Sequence, residues 1–331
     1  MFGTAQARER AEVFGGLASM VHAGVSIGES LTAIAGDMRP SRMQAALLRA
    51  GHDVSGGRTF STCMEERPDV FSPLTVAMLQ VGERGGRLEH ALRTIADYHE
   101  RDFKLRSLLQ RELTYPLILF AAILFIPLIG RLIVVWVTET LLAALLAGAA
   151  TLLLYALIFG VPGVLVYLLI RNAKRSTAGR LRLDRIKLRL PVVGNVVRKL
   201  ALARFCRALA SLYSAGVLMG TSLRLAGQAS GNEVVARELG GGAGAVESGA
   251  SLAEALGKSS LMPRAVLQML RTGEHTGEVD AMADNVADHL EVEAETALKQ
   301  MAVTVTPIAV VVAGIIVALM LLNFYGGLYS F

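Results

Sequence analysis

The sequence predicts an all-α protein built as two duplicated helical bundles plus three transmembrane helices. Three observations lead there. One motif is written twice, GERGGRLEHALRTIAD at 82–97 and GEHTGEVDAMADNVAD at 273–288. Gly82, Glu83 and Gly86 thereby pair with Gly273, Glu274 and Gly277, each pair 191 positions apart. Hydrophobic residues make up 53% of the 331 residues and mean hydropathy is +0.48, above the ~45–50% apolar content of soluble domains. Between the apolar stretches, hydrophobic residues recur at helical spacing, with no strand-like alternation. A period this long marks a duplicated domain, since solenoid repeats recur every ~20–50 residues.

The elements follow in chain order. Residues 1–112 form the first bundle, where Val13, Leu17, Met20 and Val21 make one apolar helical face that ends at Gly24. Residues 113–170 hold two apolar spans, about Leu113 to Val137 and Leu141 to Ile170, joined by Thr138-Glu139-Thr140. Each meets the ~20 residues needed to cross a bilayer, so they form a hairpin. Residues 171–301 form the second bundle, in which Phe205, Leu209, Leu212 and Tyr213 repeat the first apolar face and end at Gly216. Ala23-Gly24-Val25 and Ala215-Gly216-Val217 are 192 apart rather than 191, so a one-residue indel separates this pair from the later motif. Residues 302–331 give a third span, about Ala302 to Asn323, and a short tail. Pro116 and Pro307 each stand 34 residues beyond the first glycine of their motif, near the start of the first and third spans.

Charge sets the expected orientation. Arg101, Lys104, Arg106 and Arg111 precede the first span, and Arg171, Lys174, Arg175 and a further run of bases follow the second. The hairpin and the tail carry none, so positive-inside logic puts both bundles in the cytoplasm and the carboxyl terminus outside. The formal net charge of +5 is concentrated beside apolar segments, which favours membrane lipid over nucleic acid. Arg8, Glu9, Arg10 and Glu12 interrupt the place of a signal-peptide core, so the amino terminus is expected to stay cytoplasmic. Cys63 and Cys206 lack metal or redox spacing and read as buried, reduced residues.

The repeated Gly-Glu-x-x-Gly suits a helix–helix corner. One glycine ends a helix, the other opens a turn, and the glutamate lies near the positive end of the next helix. Glu83 and Glu274 are therefore either caps or partner contacts. Asp280, Asp284 and Asp288, continued by Glu291 and Glu295, line one helical face. Like charges at that spacing are mildly destabilising, so the stripe is a solvated face, a dock for a basic partner or, less favoured, a set of oxygen ligands for a divalent cation. Gly82, Glu83, Gly86, Gly273, Glu274, Gly277, Asp280, Asp284 and Asp288 are the candidate partner-binding residues. Arg131, inside the first span, either snorkels to the outer interface or meets an acidic partner in the membrane.

Catalytic signals are lacking. Gly257-Lys258-Ser259 has Leu252 where a phosphate loop needs glycine. The run Gly240-Gly241-Gly242-Ala243-Gly244 reads as a flexible connection, and His275 and His289 lack metal-binding spacing. No catalytic residue, metal site or cofactor is expected.

The chain resembles the inner-membrane platform proteins of type IV pilus and type II secretion systems, the PilC/GspF family. The duplicated Gly-Glu-x-x-Gly, the Leu113-Thr114-Tyr115-Pro116 approach to the first span and the order of the three spans carry the resemblance. It runs from about Val13 to the carboxyl terminus; the second copy departs with Thr306-Pro307 in place of Tyr115-Pro116. The resemblance implies a non-enzymatic assembly platform in the bacterial inner membrane. Such a platform engages a cytoplasmic hexameric assembly ATPase and couples its motion to lifting pilin or pseudopilin subunits into a fibre. Other inner-membrane machine components and further copies of the chain are its implied neighbours. The rival reading, a small membrane transporter or permease subunit, calls for intramembrane acids or inverted repeats. Here the copies enter the membrane in the same direction, and Arg131 is the clear interior charge.

Overall fold

In the computed structural model, residues 4–138, 145–146, 148–150, 152–153, 157, 160–190 and 193–328 are described. Among them there are helices and no strand. The first copy runs through α1 (Thr4–His22), α2 (Ile27–Asp37), α3 (Arg42–Ser55), α4 (Phe60–Glu65), α5 (Pro73–Arg84) and α6 (Leu88–Thr138). After α7 (Val161–Arg175) and α8 (Thr177–Arg189), the second copy runs through α9 (Val193–Ser214), α10 (Met219–Ala229), α11 (Glu233–Gly240), α12 (Ala243–Glu247), α13 (Leu252–Gly257), α14 (Arg264–Thr276) and α15 (Val279–Leu328).

Local chemistry explains the boundaries. Ser26, Ser41 and Ser72 accept the third-residue backbone N–H of α2, α3 and α5, and Pro73 opens α5, where its missing N–H costs nothing. Ser251 and Glu254 close a reciprocal capping box on α13. The glycines that end α1 and α9 are left-handed alike, Gly24 at φ 85° and Gly216 at φ 88°. One cap is not duplicated: Leu218 stands 192 positions beyond Ser26, offers no side-chain cap to α10, and is 80% exposed.

The two copies diverge in two further places. The continuous α3 of the first corresponds to α11 plus α12 in the second, where Gly240-Gly241-Gly242 breaks the helix. These glycines form a hydrogen-bonded turn, with Gly241 N–H donating to the Arg237 carbonyl and Gly242 N–H to the Leu239 carbonyl, each at 3.1 Å. The expected flexible connection is thus a tight turn. The one-residue indel falls between α4 and α5, where residues 66–72 in the first copy answer to 258–263 in the second.

Residues 1–108 and 188–295 form one compact unit, and residues 109–187 and 296–331 a second. In the first unit a single hydrophobic core draws on both copies, from Phe14, Leu17, Phe60 and Met78 to Phe205, Leu209, Leu256 and Leu290. The copies touch directly, with α5 packed against α9 and α10 and His90 Nε2 3.2 Å from the Ser214 carbonyl. Cys63 and Cys206 are buried and free, and burial pushes the Cys206 thiol up to about 12.

In the second unit large apolar side chains face outward, among them Ile118, Phe125, Ile129, Ile133, Val164 and Leu165, each more than half exposed. Among the described residues no helix is long and apolar enough to cross a membrane. Each of the three expected spans also includes residues, or side chains, outside those described.

Candidate functional site: twin corners and an inter-copy charged cleft

Each Gly-Glu-x-x-Gly is a corner between two helices, α5 to α6 and α14 to α15. Its first glycine is a packing requirement. A Cβ on Gly82 would collide with Cβ of Ala91, and one on Gly273 would come within 2.8 Å of Cβ of Met282, the residue 191 positions beyond Ala91. Its last glycine is a backbone requirement, with Gly86 at φ 65° and Gly277 at φ 79° and open space around both. Side chains rarely adopt that conformation.

The glutamates turn inward. Phe60 N–H donates to Glu83 Oε1 at 2.6 Å, while Ser61 donates to Oε2 from its backbone N–H at 3.1 Å and its hydroxyl at 2.6 Å. Leu252 N–H donates to Glu274 Oε1 at 2.7 Å and Ala253 N–H to Oε2 at 3.5 Å. Both carboxylates thus cap the start of α4 or α13, where Thr59 provides no side-chain cap of its own. Sequence reasoning placed the glutamate at the helix following the corner. The geometry puts it on a helix about 22 residues upstream, a partner that only tertiary folding brings near.

The acidic stripe is also largely engaged within the chain. Arg207 on α9, only 4% exposed, reaches Asp284 at 2.5 Å, Asp288 at 2.5 Å and Glu291 at 2.9 Å. Arg101, from α6 of the first copy, joins the same acids at 3.0 Å (Asp284) and 3.5 Å (Asp288). Burial works against the Arg207 cation, but hydrogen bonds and charge from Asp288, Glu291 and Asp284 outweigh it and raise its pKa. Burial raises the Glu291 carboxyl pKa, with Arg207 opposing it. Asp97, Glu100 and Lys104 complete a cleft of about 420 Å³ here. Asp280 lines a neighbouring cleft of about 270 Å³ with His90, Arg93 and Arg101.

Both clefts carry charges of both signs. Arg207, which the sequence reading passed over, is the residue that gathers the stripe. Its signal was present: a cation in the apolar run ALARFCRALASLY, which balances acids otherwise crowded on one helix face. Among the described residues no group of three His, Cys, Asp or Glu side chains is placed to hold a metal ion.

Buried beside this region, His99 stacks on Phe14 at 5.8 Å and meets Tyr98 edge-on at 5.3 Å. Burial, then Arg10 and Arg106, pull its pKa down to about 3. Of the membrane-associated candidates, Pro307 lies inside α15. Tyr115, Pro116 and Arg131 lie along α6, with side chains outside those described.

Comparison with known proteins follows the duplication. A family model described as type II secretion system (T2SS), protein F matches residues 16–136 and again 205–327. A type IV pilus assembly protein PilC of Myxococcus xanthus is 29% identical over 95% of this chain and 78% of its own length. A type II secretion system protein F of Pseudomonas aeruginosa is 31% identical over 96% of this chain and 81% of its own. One of the same name from Vibrio cholerae is 30% identical over 82% and 70%.

Proposed function

The chain belongs to the type II secretion system protein F family, and from that premise we propose that it is a multi-pass inner-membrane assembly platform. It engages a cytoplasmic hexameric ATPase and couples that motor to the insertion of pilin or pseudopilin subunits into a type IV pilus or a secretion pseudopilus. The spans at 113–137, 141–170 and 302–323 anchor it in the membrane. Both bundles face the cytoplasm and the carboxyl terminus the periplasm. Further copies of the chain and other inner-membrane components surround it, and its work is mechanical rather than catalytic.

One observation supports this reading above the rest: the two copies share one core in one compact unit, while the second unit carries outward-facing apolar side chains. A fused two-copy body can receive force as one piece, and an apolar exterior suits lipid or the hydrophobic helix of a pilin. The charged clefts give the two-copy body polar surfaces for an ATPase, with Asp280, Asp288, Arg93 and Lys104 among the accessible charges.

The test is co-purification of the full chain with the assembly ATPase of its own organism, together with fibre or secretion assay in a strain lacking the chain. Loss of assembly restored by the intact gene, with ATPase retained on the purified chain, is the expected result. Normal assembly without the chain overturns the proposal.

A further inference from the structure

Among the described residues, no residue of helix α8 is buried. Its approach is exposed too. On α7, Val161, Val164, Leu165, Tyr167, Leu168 and Leu169 are each at least half exposed, spread over more than one face. The chain then turns sharply at Ser176, whose backbone is extended at φ −107° and ψ 139° and whose N–H donates to the Ala173 carbonyl at 3.3 Å. Gly179 packs so closely on that carbonyl that any side chain there would collide with it. The turn is therefore built in.

Along α8 at 100° per residue, Gly179, Leu183 and Ile186 share one stripe, and Leu181 and Leu188 lie on the opposite one. Arg182 and Arg185 flank it on one side, Arg180 and Lys187 on the other. Ile186 is 58% exposed. The one acid between residues 180 and 187, Asp184, is paired with Lys187 at 2.7 Å. The stripe that carries exposed Ile186, set between two rows of long cations, suits the boundary between phosphate headgroups and acyl chains, where arginine and lysine stems lie on the apolar side and their charges reach the phosphates.

We infer that α8 is a binding site for anionic phospholipid headgroups, lying along the cytoplasmic leaflet with Leu183 and Ile186 inserted and Arg180, Arg182, Arg185 and Lys187 on phosphates. The inference rests on the membrane reading given above. Charge complementarity selects the occupant: juxtamembrane bases attract an anionic leaflet, and the attraction falls off within a Debye length. Continuity with the exposed apolar surface of α7 selects a lipid surface over a soluble acidic protein.

The test uses the chain's single tryptophan. In the full-length protein, Trp136→Phe combined with Ile186→Trp leaves one reporter, on α8. The protein is placed in nanodiscs of phosphatidylcholine alone or mixed with phosphatidylglycerol, with and without brominated acyl chains. The expected result is a blue shift and bromine quenching in the anionic discs alone. High salt should reverse both without any further substitution, and R180Q/R182Q/R185Q/K187Q should remove both. Equal quenching in both disc types, or none in either, overturns the lipid site while the chain remains disc-embedded. A chain that fails to enter discs of any composition overturns the membrane reading and the inference together.

Discussion

At the scale of single residues, two buried ionisable groups set the chemistry of the two-copy body, and they behave oppositely. His99 is neutral in the fold, its pKa held near 3 against an ordinary 6.5, so the unfolded chain takes up a proton first as pH falls. Stability is intact above about pH 6.5 and drains away as pH drops toward 3, at about 1.4 kcal/mol per unit from this group. The second copy has Leu290 at the matching position, 191 residues on, which makes His99→Leu a natural control. We expect that variant to lose much of the slope of stability against pH between 6.5 and 4 in urea titrations; an unchanged slope would mean that other groups govern acid unfolding. Arg207 works the other way, because it is charged and needed so. Replacing it with Met leaves Asp284, Asp288 and Glu291 crowded without their main cation. The expected loss is about 2–4 kcal/mol, below the ~3–5 of a fully buried pair because Asp288 is 58% exposed. Denaturant midpoints measure it. Arg207 was legible only as a cation in an apolar run, since the acids it gathers lie 77 or more residues away, and the shift at His99 comes first from a burial that only the fold creates.

At the scale of elements, the corner motif shows what duplication preserves. The need for glycine at Gly86 and Gly277 was legible, because a helix end followed by a turn calls for left-handed backbone. The need at Gly82 and Gly273 was only half legible, since the obstruction comes from Ala91 and Met282 across the helix crossing. Gly82→Ala should cost about 1–3 kcal/mol through overpacking, while Gly86→Ala should cost about 1–2 kcal/mol through backbone strain alone. Glu83→Gln removes the charge and one acceptor from the start of α4. A loss of about 1–2 kcal/mol is expected in equilibrium unfolding, with faster amide exchange at Phe60 and Ser61. Exchange unchanged at those two amides would count against the capping role. The short helices themselves were foreseeable from Gly, Pro and Ser spacing. The splitting of α3 into α11 and α12 was foreseeable only as a glycine run, and its compactness was not.

At the scale of the whole molecule, the sequence suggested two bundles, and the structure gives the two copies one core. Helical periodicity reveals which face of α9 is apolar but not that α5 of the other copy helps to cover it. A shared core predicts shared fate. Probes placed separately in residues 4–108 and 193–295 should report coincident urea transitions. Two resolved transitions would show that the copies are thermodynamically independent. The Arg101 link to Asp284 crosses between copies but is partly exposed on both sides, so a double-mutant cycle should return only about 0.2–1 kcal/mol. Cohesion between the copies therefore comes mainly from apolar packing. The α4–α5 loop carries a different kind of information. Its two versions differ in length by a residue, with Glu66, Pro68 and Asp69 exposed in the first copy. The molecule has thus already tolerated a change of chain length there, and lengthening a loop costs only about 0.6 kcal/mol per doubling. That makes the stretch beside Pro68 a practical insertion point for an epitope or fluorophore, a handle for following the machine in living cells without disturbing either corner.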